Sequence, residues 1–250
     1  MMESGARLLK SVAPQLETPQ RRMFLKQGLS LGVLSMLPGC SAPPPDAVQE
    51  LLRQMSTFND WVQGAIFSPT RLAPVYSESD ITQPFPFNAF YAEAQAPTVD
   101  PSSYRLSLGG MIGRRQPWTL DDLHRLPQAS QITRHICVEG WSAIGKWGGV
   151  PFKTFLERVD ADLTCKYVGF KCADNYHTSI DMASALHPQT ILALTFADQV
   201  LPRKYGFPMK LRIPTKLGFK NPKHITAIYV TNTYPGGYWE DQGYNWFSGS

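Results

Sequence analysis

The sequence lacks the marks of several common functional classes. Its 250 residues hold four cysteines, Cys40, Cys137, Cys165 and Cys172. None sits in the paired spacing of a zinc site or in a Cys-x-x-Cys-His haem attachment. No apolar run approaches the roughly twenty residues of a spanning helix. No Gly-rich dinucleotide loop and no P-loop occurs. The net charge of +4 lacks the basic stripe of a nucleic-acid binder, so no nucleic-acid partner is expected. What is present is a hydrophobic fraction of 43%, ordinary for a globular core and too high for a disordered chain. The 21 Pro and 19 Gly favour turns and extended segments over a helical bundle. Cys165 and Cys172 flank an apparent strand. Extended, their Cα atoms stand about 20 Å apart, whereas a disulfide needs them within about 7 Å.

The N-terminus reads as an address. Arg21-Arg22-Met23-Phe24-Leu25-Lys26 precedes a weakly apolar stretch, Gly28 to Leu37. Charge followed by a short apolar run is the layout of an export signal, and the paired arginines resemble the twin-arginine type. The alternative is an ordinary amphipathic helix. The twin-arginine route carries folded proteins, as a cofactor inserted before export requires, and implies a periplasmic destination. Leu37-Pro38-Gly39-Cys40 resembles a lipoprotein box with lipid on Cys40; plain cleavage near Cys40 or Ala42 is the alternative. The expected division is a signal and linker over 1–45 and one catalytic domain over 46–250, with Val48 to Phe58 helical.

Along the domain, Tyr104 to Leu108 alternates apolar and polar and predicts a strand ended by Gly109-Gly110. Thr119 predicts a helix N-cap ahead of Asp121 and Asp122. Gln131 to Ile136 predicts a strand entering Cys137. Pro151 with Phe152, Phe155, Leu156 and Val159 predicts a helix with one apolar face. Asp181 is expected as another N-cap. Strands are expected at Ile191 to Phe196, Val200-Leu201 and Ile225 to Val230. Met209, Leu211 and Ile213 alternate with Lys210 and Arg212, as in a half-buried strand. The expected fold class is α+β, one domain of mixed, mostly antiparallel β structure with short helices.

The densest segment runs from Arg134 to Pro151. It places a thiol at a strand end, with Arg134 and His135 just before it; nearby cations lower a thiol's pKa. Two tryptophans and four glycines follow. Glycine admits close approach of backbone to a ligand, and Trp141 and Trp147 can wall a pocket. Two readings of Cys137 stand on these residues: a small buried core residue, and a nucleophile with His135, His177 or His224 as base. Six cations, Lys204, Lys210, Arg212, Lys216, Lys220 and Lys223, fall within about twenty residues. They read either as a solvated face or as a phosphate site around Gly and Pro kinks.

Arg134-x-x-Cys137-Val138-Glu139-x-Trp141-Ser142 resembles the molybdenum-binding segment of the sulfite-oxidase superfamily. It is closest to the branch that includes the catalytic subunit of periplasmic methionine-sulfoxide reductase, and the similarity runs from about Asn88 to about Val230. The resemblance implies a molybdenum–molybdopterin cofactor with Cys137 as the metal's protein ligand; a soft thiolate suits such a metal. It further implies cofactor contacts at Asn88, Tyr91 and Ala92, in a matched Asn-x-Phe-Tyr segment, and at Asn221, Pro222 and Lys223, in a loop that cups the pterin phosphate. Cys172 stands where relatives place a pterin-contacting Thr. Tyr205 stands where they place Asn or His. Lys210 replaces an Arg, which turns a bidentate phosphate clamp into a point charge.

The same resemblance implies oxygen-atom transfer. Gly140-Trp141-Ser142 replaces the arginine pair of sulfite oxidisers, so an apolar pocket formed with Trp141 and Tyr176 is expected to take a small neutral S-oxide or N-oxide. Sulfite oxidation, with Arg134, Lys146 and Arg203 as anion contacts, is the alternative. A metal-free scaffold of the same fold is another. A haem-containing electron partner is implied, either a membrane cytochrome b or a soluble cytochrome c. A monomer is expected.

Overall fold

The computed structural model describes residues 46–250, with side chains from Glu50 onward. The expected signal, the paired arginines and Cys40 lie outside the described residues.

A long helix α1 (Asp46–Ile66) opens the described chain. A four-stranded sheet has the order β1 (Ser107–Gly110), β9 (Ile225–Thr231), β4 (Tyr167–Cys172), β5 (His177–Asp181). Only β1 and β9 run parallel in it. A second sheet, antiparallel throughout, has the order β2 (Ala129–Ile136), β3 (Ser142–Pro151), β6 (Ile191–Phe196), β7 (Gln199–Val200). A further strand, β8 (Lys210–Arg212), also pairs with β6. The short helices are α2 (Leu120–His124), α3 (Phe152–Arg158) and α4 (Met182–Ala185). The α+β, mostly antiparallel expectation holds.

Local chemistry explains several boundaries. Thr119 accepts the Asp122 amide while Asp122 accepts the Thr119 amide, so reciprocal capping starts α2. Asp181 accepts the Ser184 amide at 2.7 Å and starts α4. Phe152, Phe155, Leu156 and Val159 are fully buried, which docks α3 on the main core. That core takes Val168, Phe170, Ile228 and Val230 from the first sheet and Leu192, Leu194 and Leu211 from the second. A smaller aromatic core joins Phe85, Trp147 and Tyr205. Cys137, Cys165 and Cys172 are free thiols.

Three sequence expectations are corrected. Gly109-Gly110 lies within β1 rather than ending it, because β1 is the segment that pairs with Ala227 to Val230. The Trp147 stretch is a ten-residue strand, β3, whose Trp147 is buried in the smaller core and walls no ligand pocket. Strand β8 is buried on both faces, cations included. Its partner β6 lies inside the sheet, so alternation of residue type does not mark a solvent face there.

Candidate active site

Cys137 is the first residue of the β2–β3 hairpin loop. Its amide donates to the Trp141 carbonyl at 2.9 Å, and Gly140 turns the chain with φ +92°. Side chains alternate across a strand, so the end of β2 faces two ways. His135 and Cys137 are buried on one side. Arg134 and Ile136 line a separate cavity of ≈ 550 Å³ on the other. Arg134 therefore does not activate the thiol. Burial pushes the Cys137 thiol up, and the Glu139 carboxylate, 3.7 Å from Sγ, adds to the rise. The sequence expectation of a thiol lowered by its neighbours is corrected: an ionised sulfur here needs a cation that is not on β2.

Cys137 lines a cleft, open on one side, with a cavity volume of ≈ 150 Å³. Ligand pockets usually hold about 300–1,000 Å³, so a tricyclic group needs the open mouth as well. One wall is the Asn88–Tyr91 segment. The opposite wall is Gly218, Phe219, Asn221, Pro222 and Lys223, with Asp174 and Tyr176 between them and Trp239 and Tyr244 at the rim. Tyr176 donates its hydroxyl to the Phe219 carbonyl at 2.6 Å, and Tyr91 donates to Asp174 at 2.9 Å. Burial raises both phenols, so both stay protonated. Lys223 donates to the Asn88 carbonyl and ties the two walls together.

Arg212 anchors this construction from below. It donates to the Arg134 carbonyl at 2.7 Å and to Thr133 at 3.1 Å, which fixes the strand that carries Cys137. It also donates to Asn221 Oδ1 at 3.1 Å, which fixes the opposite loop. Asn221 Oδ1 accepts the Ile213 amide as well, and its Nδ2 donates to the Leu217 carbonyl. Asn221 therefore acts first as a brace.

Behind the cleft the cations outnumber their partners. Lys210 is 2% exposed. Its ammonium lies 5.0 Å over the Trp147 ring, and its pKa is driven well down by burial and by Lys223 and Arg212. Burial likewise lowers Lys223 to about 8 and Arg212 to about 9. His135 is held neutral by burial and the same three cations, and neither of its ring nitrogens has a partner. His224 Nε2 and Arg212 Nε are also unpartnered. Buried polar groups are nearly always paired, and unpaired buried charge costs several kcal/mol or more. The arrangement therefore fits an anionic, acceptor-rich group.

Two glycines keep the backbone close to these side chains. A Cβ at Gly218 would stand 2.7 Å from His135 Nε2, and one at Gly206, which has φ +123°, would press on the Lys210 and Lys223 stems. Among the described residues no three His, Cys, Asp or Glu side chains converge. A single thiolate suits a metal that brings most of its own ligands.

The expected site residues separate accordingly. Asn88, Tyr91, Cys137, Tyr176, Asn221, Pro222 and Lys223 line the cleft together. Lys210 lies behind it. Trp141, Ala92, Cys172 and Tyr205 do not line it. Trp141 donates to Glu139 at 2.8 Å and packs toward the smaller core. Ala92 is exposed and begins a short 3-10 turn. Cys172 belongs to the main core. Tyr205 donates to the Phe85 carbonyl at 2.6 Å within the smaller core. Phe90, Glu139 and Phe219, which stand inside the family motifs without a role of their own, also line the cleft, as do three residues those motifs give no role, Asp174, Trp239 and Tyr244. The aromatic density of the tail is the available signal for the last two, but its lack of period gives no placement. The tail is held by Glu240, which accepts from buried Thr178 at 2.7 Å and pairs with buried Lys220.

The family model of the oxidoreductase molybdopterin binding domain matches residues 93–239. The chain belongs to that family. A putative protein-methionine-sulfoxide reductase subunit YedZ1 of Azospira oryzae is 60% identical, over 100% of this chain and 97% of its own length. Catalytic subunits MsrP of protein-methionine-sulfoxide reductase are more distant. That of Ralstonia nicotianae is 29% identical over 66% of this chain and 59% of its own. That of Xanthomonas axonopodis pv. citri is 28% identical over 85% and 69%. The chain thus spans less than two thirds of the Ralstonia protein. The sulfane dehydrogenase SoxCD of Paracoccus pantotrophus shares the fold, with TM-score 0.52 and 18% identity over 55% of this chain and 40% of that one. As a family member the protein is a molybdopterin-dependent oxidoreductase, and its cofactor is molybdenum bound to molybdopterin. Cys137, the cationic floor and the 218–223 loop are the residues fit to hold it.

Proposed function

We propose that this protein reduces a small S-oxide, of the methionine-sulfoxide class, in the cleft beside Cys137. One observation carries the choice: the cleft walls are aromatic and carboxylate-bearing. Phe90, Tyr91, Tyr176, Phe219, Trp239 and Tyr244 line it with Glu139 and Asp174, and Lys223 is the one cation among the lining residues. A sulfite dianion would meet two carboxylates, whereas a neutral sulfoxide with an apolar substituent meets rings, against which sulfur packs well. The sequence's candidate anion contacts are all engaged or directed elsewhere. Arg134 lines the other cavity, Lys146 is paired with Glu78 and Asp198, and Arg203 donates to Thr98. The names of the methionine-sulfoxide reductase relatives support the same reading.

The reaction takes a sulfoxide, two electrons and two protons to a sulfide and water. When bound, the cofactor supplies the oxygen-atom transfer. The chain's own residues supply the setting. Lys210, Lys223 and Arg212 balance the anionic cofactor, and Arg212 with Asn221 holds the cleft walls in register. Glu139 and Asp174 are the cleft carboxylates able to pass protons inward. Electrons come from a haem-containing partner, a membrane cytochrome b or a soluble cytochrome c, and the setting is the periplasm, as the paired arginines indicate. Steady-state assays of the molybdenum-loaded protein with methionine sulfoxide under a reduced viologen, and with sulfite under ferricyanide, test the direction. Sulfoxide turnover with at most trace sulfite oxidation is expected; robust sulfite turnover with none on sulfoxide refutes the proposal.

A further inference from the structure

Helix α1 is amphipathic, but it faces the wrong way for a globular protein. Ser56, Asp60 and Gln63 make its contacts with the body. Asp60 accepts the Phe247 amide at 2.6 Å, Gln63 donates to Asn245 at 3.1 Å and accepts from Gly249, and the Ser56 carbonyl accepts from Asn245. Leu51, Met55, Phe58 and Val62 follow the i, i+4, i+7, i+11 spacing of one helical stripe, on a different side from those polar residues. Leu51, Met55 and Phe58 are each more than half exposed, as are flanking Leu52, Trp61 at 69% and Ile66 at 77%.

The apolar surface does not stop at the helix end. Ile66 and Leu72 border the ≈ 550 Å³ cavity, where Arg71 and Arg134 also stand. Neither arginine has a carboxylate partner among the described residues. Contiguous apolar surface of this extent, edged by unpaired cations, marks a contact surface rather than a monomer's ordinary exterior.

We propose that the outer face of α1, with Arg71 and Arg134 beside it, lies in the interfacial layer of an anionic lipid bilayer. The position of the helix in the chain favours lipid over a protein partner. The apolar run Gly28–Leu37 and Cys40 immediately precede it, and only five residues separate Cys40 from Asp46. Five extended residues reach at most about 18 Å, so any retention of the leader, or any lipid on Cys40, holds α1 at the membrane surface. Interfacial helices seat Leu, Phe and Trp at the headgroup boundary; α1 itself carries Asp46, Glu50 and Asp60 against Arg53, so the attraction to anionic headgroups falls to Arg71 and Arg134 beside it. No described helix is long and apolar enough to cross a membrane, so α1 lies on the bilayer. The Arg134–Ile136 side of β2 then faces the membrane, one residue from Cys137. A membrane electron donor would approach by that side.

The test uses the full chain carrying Cys40→Ala, so that no acyl chain contributes, mixed with vesicles of phosphatidylcholine and phosphatidylglycerol at 70:30. Sedimentation measures the partition. The comparison is the same chain with Leu51→Ser, Phe58→Ser and Trp61→Ser. These side chains are exposed, so Tm and the far-UV circular dichroism of the body should not change. Both proteins keep residues 1–45, so their difference reports α1 alone. At least a tenfold fall in partition is expected. Equal partition, or none by the parent chain, overturns the proposal. So does a concentration-dependent dimer of the parent in analytical ultracentrifugation that the triple variant abolishes, because a second copy would then cover the face. The assay reads no turnover, so its outcome is separate from that of the sulfoxide reaction.

Discussion

Replacing Lys210 with Met should make the cofactor-free protein more stable while it loses its cofactor. Lys210 is 2% exposed, with no carboxylate partner and only the Trp147 ring beneath its ammonium at 5.0 Å. Burial and the neighbouring Lys223 and Arg212 all disfavour its charge. Exchanging buried ionic groups for apolar side chains of similar size gains about 1–4 kcal/mol in favourable cases. Losing the contact with Trp147 costs about 0.5–2 kcal/mol. The net expectation is a gain of about 1–2 kcal/mol. In a domain of this size each kcal/mol moves Tm by about 2–4 °C, so Tm should rise by about 2–8 °C. Calorimetry and urea unfolding of cofactor-free Lys210→Met protein measure this, and molybdenum content after expression in a molybdate-replete host measures loading. The reasoning is refuted if the variant is less stable than the parent when cofactor-free, or if it loads molybdenum normally. Either result would mean that the charge is already satisfied inside the protein and is not reserved for an anionic cofactor.

Two further outcomes follow from the same structure. Cys137→Ser should fold normally, to within about 1 kcal/mol, since a hydroxyl keeps the small volume and can donate to Glu139; elemental analysis should show molybdenum loss, and a variant with full metal and turnover contradicts the ligand role. At Asp181, burial pushes the carboxyl up, but the Lys216 ammonium at 3.1 Å and the Ser184 contacts outweigh it and hold the group below its ordinary value of 3.8. A carboxyl lowered on folding contributes stability that is present above that unfolded value and lost as pH falls through the folded one. Asp181→Asn keeps the helix cap but strands buried Lys216. It should cost about 3–5 kcal/mol at neutral pH, with the gap from the parent narrowing below pH about 4; an unchanged gap in Tm across pH 3 to 7 contradicts this pairing.

Some of this protein is written locally. The Thr119 and Asp181 caps each depend on a residue three positions on, so the sequence alone placed α2 and α4. The apolar face of α3 and the strand leading into Cys137 were legible for the same reason, as was the ordered run from Arg134 to Ser142 that marks the family. The extent of β3 was not. Its glycines and Trp147 read as pocket material, but pairing with β2 and β6 made them a strand and sent Trp147 into a core.

The tertiary structure alone decided how the charges are used. A run of lysines ordinarily lies in water because burial is costly, and nothing in the spacing of Lys210, Arg212, Lys216 and Lys220 shows that the fold bears that cost. The strand's alternation sent Arg134 away from the cleft and His135 and Cys137 toward it, and which side would become the cleft depended on distant partners, Gly218 and Asn221. Sequence determined the chemistry at the sulfur, because that requires one residue in its local setting. The walls, the buried charges and the outward face of α1 were set by contacts across the chain, where the balance of desolvation and packing is struck by residues far apart in sequence.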